Sequence, residues 1–590
     1  MVFQSLISKA PGFRVPSFLF ASAMLSVVAS SCTGSISGGL TSGGNGIGGS
    51  GAGVGSQGGG NGNGSVIPPP PVNFAAESAC TSNSPGPTML RRLSASQFAA
   101  SIADLFGDPS VPVAAVFNDP LAMDFSIDAN SLVVRDLNAN QLMSNAEAIA
   151  SWAVTNHLAA VTGCSASDPA CPASFIRSFG KRAFRAPLTD ATVADYQALF
   201  SAEASFNDGV TAVIAAMLQS PRFLYRTELG DPAAPAPAAG ATIALTPYEV
   251  ASSLSYLLTG SGPDATLLAA ADSVAGGSLS VADMVAQQGQ RLLADSRSQS
   301  MLMDFMTSWL GLEKLYTTVK DDSVYMLTDT LRDEMASETR GLILDTFANG
   351  GTFSDLLTAD HSFLNQDLAQ YYGFDTTGLG TTFTRVQYPG GTSRDGGILA
   401  HASILTGFAR ADISSPTQRG HLVRTRLLCQ YINPPGASLD TTFHPDPTPT
   451  TTRAHYENAH AHGDCLACHK QMDPIGYGFE HYDAFGRWRN TENGYPIDSS
   501  ATIYAANATD GDVNFNGISA LETYLAGNAD LKTCMVRTWA FYAYGSTTWM
   551  QDGCTYQAIR QASSSGGYVM RDVLNAIIHA PHFTSRVLAP

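Results

Sequence analysis

Apolar residues recur at helical spacing through most of the chain. Phe98, Ile102 and Leu105 follow Ser94-Ala-Ser-Gln97, and Val250, Leu254 and Leu257 follow Thr246-Pro247-Tyr248-Glu249. Each tetrapeptide is a capping box: the hydroxyl accepts the backbone N–H three residues on, and the Gln or Glu there accepts the N–H of the capping residue. Pro247 suits the first helical position, where its missing N–H has no partner to lose. The same period covers 137–160, 190–200, 208–219, 281–315, 328–348, 416–430, 517–545 and 556–578. Extended character is confined to short runs such as Thr381 to Val386. The pattern predicts a mainly α, multi-domain helical body with Pro/Gly-rich connections.

One repeat stands out. Residues 175–226 align without gaps on 535–586 at an offset of 360. Arg177 meets Arg537, Phe179 meets Trp539, Tyr196-Gln197-Ala198 meets Tyr556-Gln557-Ala558, and both copies end in Pro-x-Phe-x-x-Arg. A helical module duplicated on either side of the middle of the chain, packing by similar faces, is the expectation.

The first 79 residues break the pattern. Lys9 and Arg14 precede an apolar run from Val15 to Ala29, too short for a confident membrane span and suited to an export signal over residues 1–31. Val28-Ala29-Ser30-Ser31-Cys32 resembles a bacterial lipoprotein box, in which Cys32 is acylated and becomes the mature N-terminus. Ordinary signal-peptidase cleavage near Ser31 is the alternative. Residues 32–79 are mostly Gly, Ser, Asn and Thr closing in Pro68 to Pro71, a composition that forms a disordered leash with a stiff end.

The roughly 510 residues that follow exceed one hydrophobic core. Composition shifts divide them into an N-terminal helical domain at 80–165, a helical module at 166–232 and a central helical domain at 240–375. A Cys/His-bearing domain at 390–495 and the second module at 500–590 complete the set. With 44% hydrophobic residues and 14% charged ones the body is ordinary globular protein, and a net charge of −18 argues against nucleic acid as a partner.

Candidate chemistry concentrates between His455 and Arg489. Cys465-Leu-Ala-Cys468-His469 has the spacing of a c-type haem attachment site, where two thiols add across the haem vinyls and the adjacent His ligates the iron. Nine Cys and twelve His placed at random would produce this pentapeptide about 0.003 times per chain, so chance is a poor explanation. A zinc site using both thiols and two of His460, His462 and His469 competes with it, as does a disulfide or redox pair between Cys465 and Cys468. For haem, His469 is the proximal ligand. The distal candidates are His460 first, then His462, His481, Met535 and Met550; Met472 lies too near His469 on one turn to cross to the other face.

Other residues in this stretch have blander readings beside their functional ones. Asp473-Pro474-Ile475-Gly476 is expected to end the haem helix, with Asp473 bonding its own backbone and Gly476 turning the chain. Arg419, Arg487 and Arg489 are candidates for haem propionates or for structural ion pairs. Glu480 and Asp483 are candidates for an acid–base pair, for calcium ligation or for plain solvated carboxylates. Asp360, His361 and Asn365 form a polar cluster whose spacing demands no catalysis. Setting aside Cys32, Cys465 and Cys468, six cysteines remain, and proximity pairs Cys164 with Cys171 and Cys534 with Cys554, leaving Cys80 for Cys429. No Walker lysine, dinucleotide fingerprint, Gly-x-Ser-x-Gly elbow or His-Glu-x-x-His helix occurs.

Several ordered motifs carry a resemblance. They are Arg91-Arg92-Leu93-Ser94, Arg182 to Thr189, Ser220 to Arg226, Leu364 to Ala369 with Tyr372-Gly373, Ser415-Pro416-x-x-Arg419-Gly420, and Cys465 to Arg489. This succession resembles the large exported proteins of planctomycetes and myxobacteria built from domains of unknown function 1587, 1595, 1592, 1588 and 1585. The resemblance implies an exported protein with a cytochrome-c-like haem motif and no established substrate. Ala186 and Ser546 stand where that pattern has arginines.

These readings converge on one expectation: a lipid-anchored, extracytoplasmic c-type cytochrome with one haem c, serving an unidentified redox partner protein. A haem peroxidase or oxidase acting on a large extracellular substrate is the runner-up. A structural or polymer-binding surface lipoprotein without haem is the third reading.

Overall fold

The computed structural model describes residues 86–588 apart from 232–233, 235–237, 389–393, 395, 433–449, 461–464, 508 and 547–553. Helix accounts for 57% and strand for 9%, as the apolar periodicity predicts. Helix α1 (Ala95–Phe106) opens on the expected box, with Ser94 accepting from Gln97 N and the Gln97 side chain accepting in return. Helix α2 (Asp136–Thr162) packs beside α3 (Cys171–Phe184) and α5 (Phe206–Gln219), and α4 (Asp190–Ser201) packs on α3 and α5. Helix α6 (Pro247–Thr259) carries the second box. Its Glu249 also accepts from the backbone N–H groups of Leu229 and Gly230, so one carboxylate caps the helix and holds the chain that leads to it.

Strands are short antiparallel pairs that clip segments together. β1 (Met89–Arg92) pairs with β2 (Tyr225–Glu228), placing Leu90 opposite Thr227. β3 (Thr242–Ala244) pairs with the last strand of the chain. The extended run foreseen near Thr381 becomes β5 (Thr384–Gln387) on β4 (His361–Leu364).

Both repeats fold into the same succession. The first runs α3, α4, α5, a short turn Pro221–Leu224 and β2. The second runs Ala529–Tyr544, Cys554–Ser565, Met570–Ile578, a 3-10 turn Pro581–Phe583 and the strand Ser585–Val587. The first helix of each ends in a left-handed residue at the same alignment position, Arg185 at φ 61° and Gly545 at φ 61°. The terminal arginines of the two copies meet at one carboxylate. Arg586 Nη2 lies 2.6 Å from Glu228 Oε2, while Arg226 and Arg91 stand 3.6 and 3.5 Å from Oε1. Burial by itself would raise the Glu228 carboxyl, but Arg586, Arg91 and Arg226 hold it below its usual range.

Two large cores fill the body. One joins segments 80–165 and 166–232, from Leu93 and Phe98 through Phe175 and Phe179 to Phe223. The other draws on 240–375, 390–495 and 500–590 together, with Phe305 stacked 3.5 Å from Trp539. A smaller one joins Leu315, Met335 and Leu368 to Phe485. Within it Lys320 is buried, donating to the carbonyls of Arg410 at 2.8 Å and Ala484 at 2.9 Å. Burial, with Arg419 and Arg332 nearby, pulls its ammonium down to about 7.

The cysteines partly depart from expectation. Cys164 and Cys171 are bridged as foreseen, across the connection between α2 and α3. Cys534, however, pairs with Cys429, which overturns both the Cys534–Cys554 and the Cys80–Cys429 pairings. Proximity along the chain was the wrong guide. The helix Ala529–Tyr544 runs past residue 429 with its Cys534 Cα 5.4 Å from the Cys429 Cα. Cys80, Cys32 and the leash lie outside the described residues, as does the side chain of Cys554. No helix among the described residues is long and apolar enough to cross a membrane, and two disulfides suit an oxidising, extracytoplasmic compartment.

Two outcomes follow from this architecture. A non-reducing digest will join peptides containing Cys429 and Cys534. The double variant Cys429→Ala with Cys534→Ala, opening a separation of 105 residues, will lose about 2–5 kcal/mol of stability in denaturant titration. Between pH 7 and 10.5 the unfolded chain keeps a proton that folded Lys320 has released, so Lys320 makes stability rise with pH across that window. The change in urea midpoint from pH 7 to pH 10.5 will therefore be more positive in the wild type than in Lys320→Met.

Candidate metal centre

The site is built on two crossing helices. Helix α7 (Pro416–His421) starts at Ser415, whose hydroxyl accepts from Gln418 N, with Pro416 at its first position. It continues as a π-helical turn, Leu422–Leu427. Helix α8 (Thr452–His460) brings His460 in from the side, and helix α9 (Cys465–Gly476) carries the Cys-x-x-Cys-His motif.

Helices α7 and α9 touch backbone to backbone. A Cβ on Gly420 would stand 1.9 Å from Met472 O, and one on Gly476 would stand 2.0 Å from Pro416 O. Gly476 therefore serves close approach, with a right-handed φ of −63°, and does not turn the chain. The helix does end within the tetrapeptide, running through Pro474 to Gly476 before a 3-10 turn, Tyr477–Phe479. Asp473, however, does not bond its own backbone there: its partners are side chains of α7, α8 and α9 itself.

Asp473 is the centre of the polar contacts. Its carboxylate is 2% exposed. Oδ1 accepts from Thr417 Oγ1 at 2.6 Å, Oδ2 contacts His460 Nδ1 at 2.6 Å, and His469 Nδ1 lies 3.1 Å from both oxygens. Burial would raise this carboxyl, but the hydrogen bonds from His460, His469 and Thr417 outweigh it and hold the group below its usual range. An ionised carboxylate only accepts, so each imidazole donates from Nδ1 and Nε2 is the nitrogen left for a metal. The two rings stack with centroids 3.5 Å apart. His460 thus packs against the ring of the expected proximal ligand in this arrangement.

Cys465 and Cys468 are half-buried thiols one turn apart, not joined to each other. Among the described residues, the group able to hold an ion within 4.8 Å is His460, His469 and Asp473, and neither thiol belongs to it. Among the described residues a mixed thiolate–imidazole zinc set is therefore not assembled, and His462, a further candidate for it, lies outside them. For a haem the donor set fits: two thiols at attachment spacing and a neighbouring imidazole whose Nδ1 is already engaged.

The remaining candidates are placed elsewhere. His481 stacks on Trp488 at 4.4 Å and bonds Arg489 O through Nδ1. Met535 is buried in the main core beside Phe353, Leu531 and Tyr568. His462 and Met550 lie outside the described residues. The three arginines are structural partners. Arg419, 1% exposed, donates to the carbonyls of Leu405, Phe479, Tyr482 and Asp483. Arg487 pairs with Asp483 at 2.8 Å, and Arg489 bridges Glu480 and Glu492. Glu480 is buried against Ser414 and Arg489, and burial raises its carboxyl; Asp483 caps the turn at Phe485 and Arg487. They do not face a common site.

Asp360, His361 and Asn365 also serve separate ends. Asn365 caps the helix Gln366–Tyr372, and His361 faces Asp360 and Asp345. A buried group unforeseen in the sequence lies next to them: Glu338 accepts from Tyr372 and Ser362, while His401 bonds Thr339. Asp473 was foreseen only as a helix terminator. Its position four residues after His469, on the same helix face, was the signal for its contact with that ring.

Five family models match, each described as a protein of unknown function. In chain order they are DUF1587 at 91–155, DUF1595 at 171–228, DUF1592 at 245–374, DUF1588 at 395–492 and DUF1585 at 511–583. The chain carries the domains of this multi-domain family. Helices α7, α8 and α9 all lie in the DUF1588 segment, while the two repeats fall in DUF1595 and DUF1585. No curated protein and no solved structure matches the chain.

The crossing in the DUF1588 segment sets a steric limit. Gly420→Ala and Gly476→Ala will each lower thermal stability by about 1–3 kcal/mol or more, because backbone and not a flexible side chain meets the added methyl. Gly527→Ala, which meets open space, will stay within about 0.5 kcal/mol of wild type in the same calorimetric scan.

Proposed function

We propose that this chain is an extracytoplasmic c-type cytochrome, tethered to a bacterial membrane through acylated Cys32 and carrying one covalently bound haem. The observation that carries the reading is the surface of α9, where Cys465 and Cys468 remain thiols beside His469 and Asp473 engages His469 through Nδ1. The matching DUF1588 model bears the short name PSCyt3, which points the same way. Each thiol would add its S–H across one haem vinyl, fixing the group to one turn of helix, and His469 Nε2 would take one axial position. The haem would supply a one-electron iron couple. The chain's own part is to tether it, orient the proximal ring and hold both on the rigid crossing of α7 and α9.

A haem peroxidase or oxidase is the second reading. It draws on His460, which is engaged in the stack against the His469 ring; a haem left with an open position would supply peroxide or oxygen chemistry there.

Expression in a host with c-type maturation, followed by acid-acetone extraction and a pyridine-haemochrome spectrum, tests the proposal. The wild type will retain haem through extraction, and Cys465→Ala with Cys468→Ala will lose it. A correctly exported protein without covalent haem overturns the cytochrome reading and selects a haem-free surface protein. With haem present, a low-spin spectrum with two strong ligands supports electron transfer, and an open-site spectrum selects the peroxidase.

A further inference from the structure

We propose that Asp473 is a positioning residue that fixes the tautomer of His469 and lends it negative charge, and that His460 and Thr417 set how much of that charge His469 receives. The inference rests on the haem reading for its redox consequence.

Four contacts converge on this carboxylate. Oδ1 is shared by Thr417 and His469, and Oδ2 by His460 and His469. Among the described residues its ion-pair partners are the two histidines, with no lysine or arginine to neutralise it. The charge is therefore directed at imidazole N–H groups. Side-chain exposure of 3% keeps water from screening it. A carboxylate hydrogen-bonded to the far nitrogen of a ligating imidazole raises ligand basicity and stabilises the more positive metal state. His460, at 2.6 Å, makes a shorter contact than His469 does and competes for the same charge. The stacked rings also fix the orientation of His469, since turning it would break both the stack and the bond to Asp473.

A purely structural role would place these groups equally well but would move no potential. The test uses full-length protein loaded by c-type maturation, with the midpoint potential as readout. Asp473→Asn keeps the shape and removes the charge, and its potential will shift upward. His460→Phe keeps an aromatic ring against His469 and removes the competing donor, and its potential will shift downward. Thr417 Oγ1 also lies 3.3 Å from His469 Nδ1, so Thr417→Val would disturb both contacts, and His460→Phe is the variant that keeps the proposal testable if Asp473→Asn does not fold. Covalent haem with an unchanged potential in Asp473→Asn, or in His460→Phe where that is the variant obtained, overturns the inference.

Failure of the haem reading is separable. In the haem-free protein, 15N imidazole shifts will report His469 protonated at Nδ1 in the wild type. A wild-type His469 protonated at Nε2 overturns the inference whatever the haem result.

Discussion

The structure around the motif depends on a backbone crossing. Helices α7 and α9 approach so closely that Gly420 faces Met472 O and Gly476 faces Pro416 O with no room for a methyl group. At that separation side chains cannot interpose, so relative position is set by main chain against main chain. Thr417 is brought under Asp473 by this contact, and Arg419, two residues on, points into the irregular segment that follows α9. That segment has buried carbonyls and no helix or ladder to satisfy them. The guanidinium takes three of them, from Phe479, Tyr482 and Asp483, together with Leu405 O, which is what five donors in a planar fork can do and a point-charge ammonium cannot.

The same device recurs away from the motif. Arg185 gathers the carbonyls of Arg222, Phe223 and Tyr225 at the end of the first repeat. Arg426, in the π-helical turn, takes those of Ser308 and Trp309, while Trp309 Nε1 donates back to Arg426 O. A chain with few charged residues uses its arginines as internal fasteners of loops between helices. Among the described residues Glu228 is the one point where three of them meet a carboxylate, and there the two repeats are joined to each other and to the first strand. Breaking that group would strand guanidinium charge in a dry core, the costly direction for a buried ion cluster.

The motif itself sits where stability and chemistry can be separated. The thiols of Cys465 and Cys468 lie on the first turn of α9, half-exposed, while the buried face of the same helix carries Met472, Asp473 and Ile475 into the crossing. One helix face is spent on packing and the other is presented. His469 stands between the two, its ring partly exposed and its Nδ1 tied to the buried carboxylate. A carboxylate held by packing thus fixes the orientation of an imidazole at the edge of the buried face.

Much of this was legible in the residues. The mainly α class followed from apolar period, the two capping boxes formed as their residues dictate, and the repeat was readable because both copies keep the same spacing of large apolar side chains. The Cys-x-x-Cys-His motif was readable because its spacing is local. Non-local pairings were not. Cys429 with Cys534, Arg226 with Arg586 at Glu228, and Asp473 with Thr417 and His460 join residues from separate segments, and sequence distance carries no information about which faces meet. Local periodicity and covalent spacing are properties of the chain alone. Which carboxylate lies under which imidazole, and which arginine fills which gap, was decided only when the helices packed, because those contacts depend on crossing geometry set by glycines far apart in sequence.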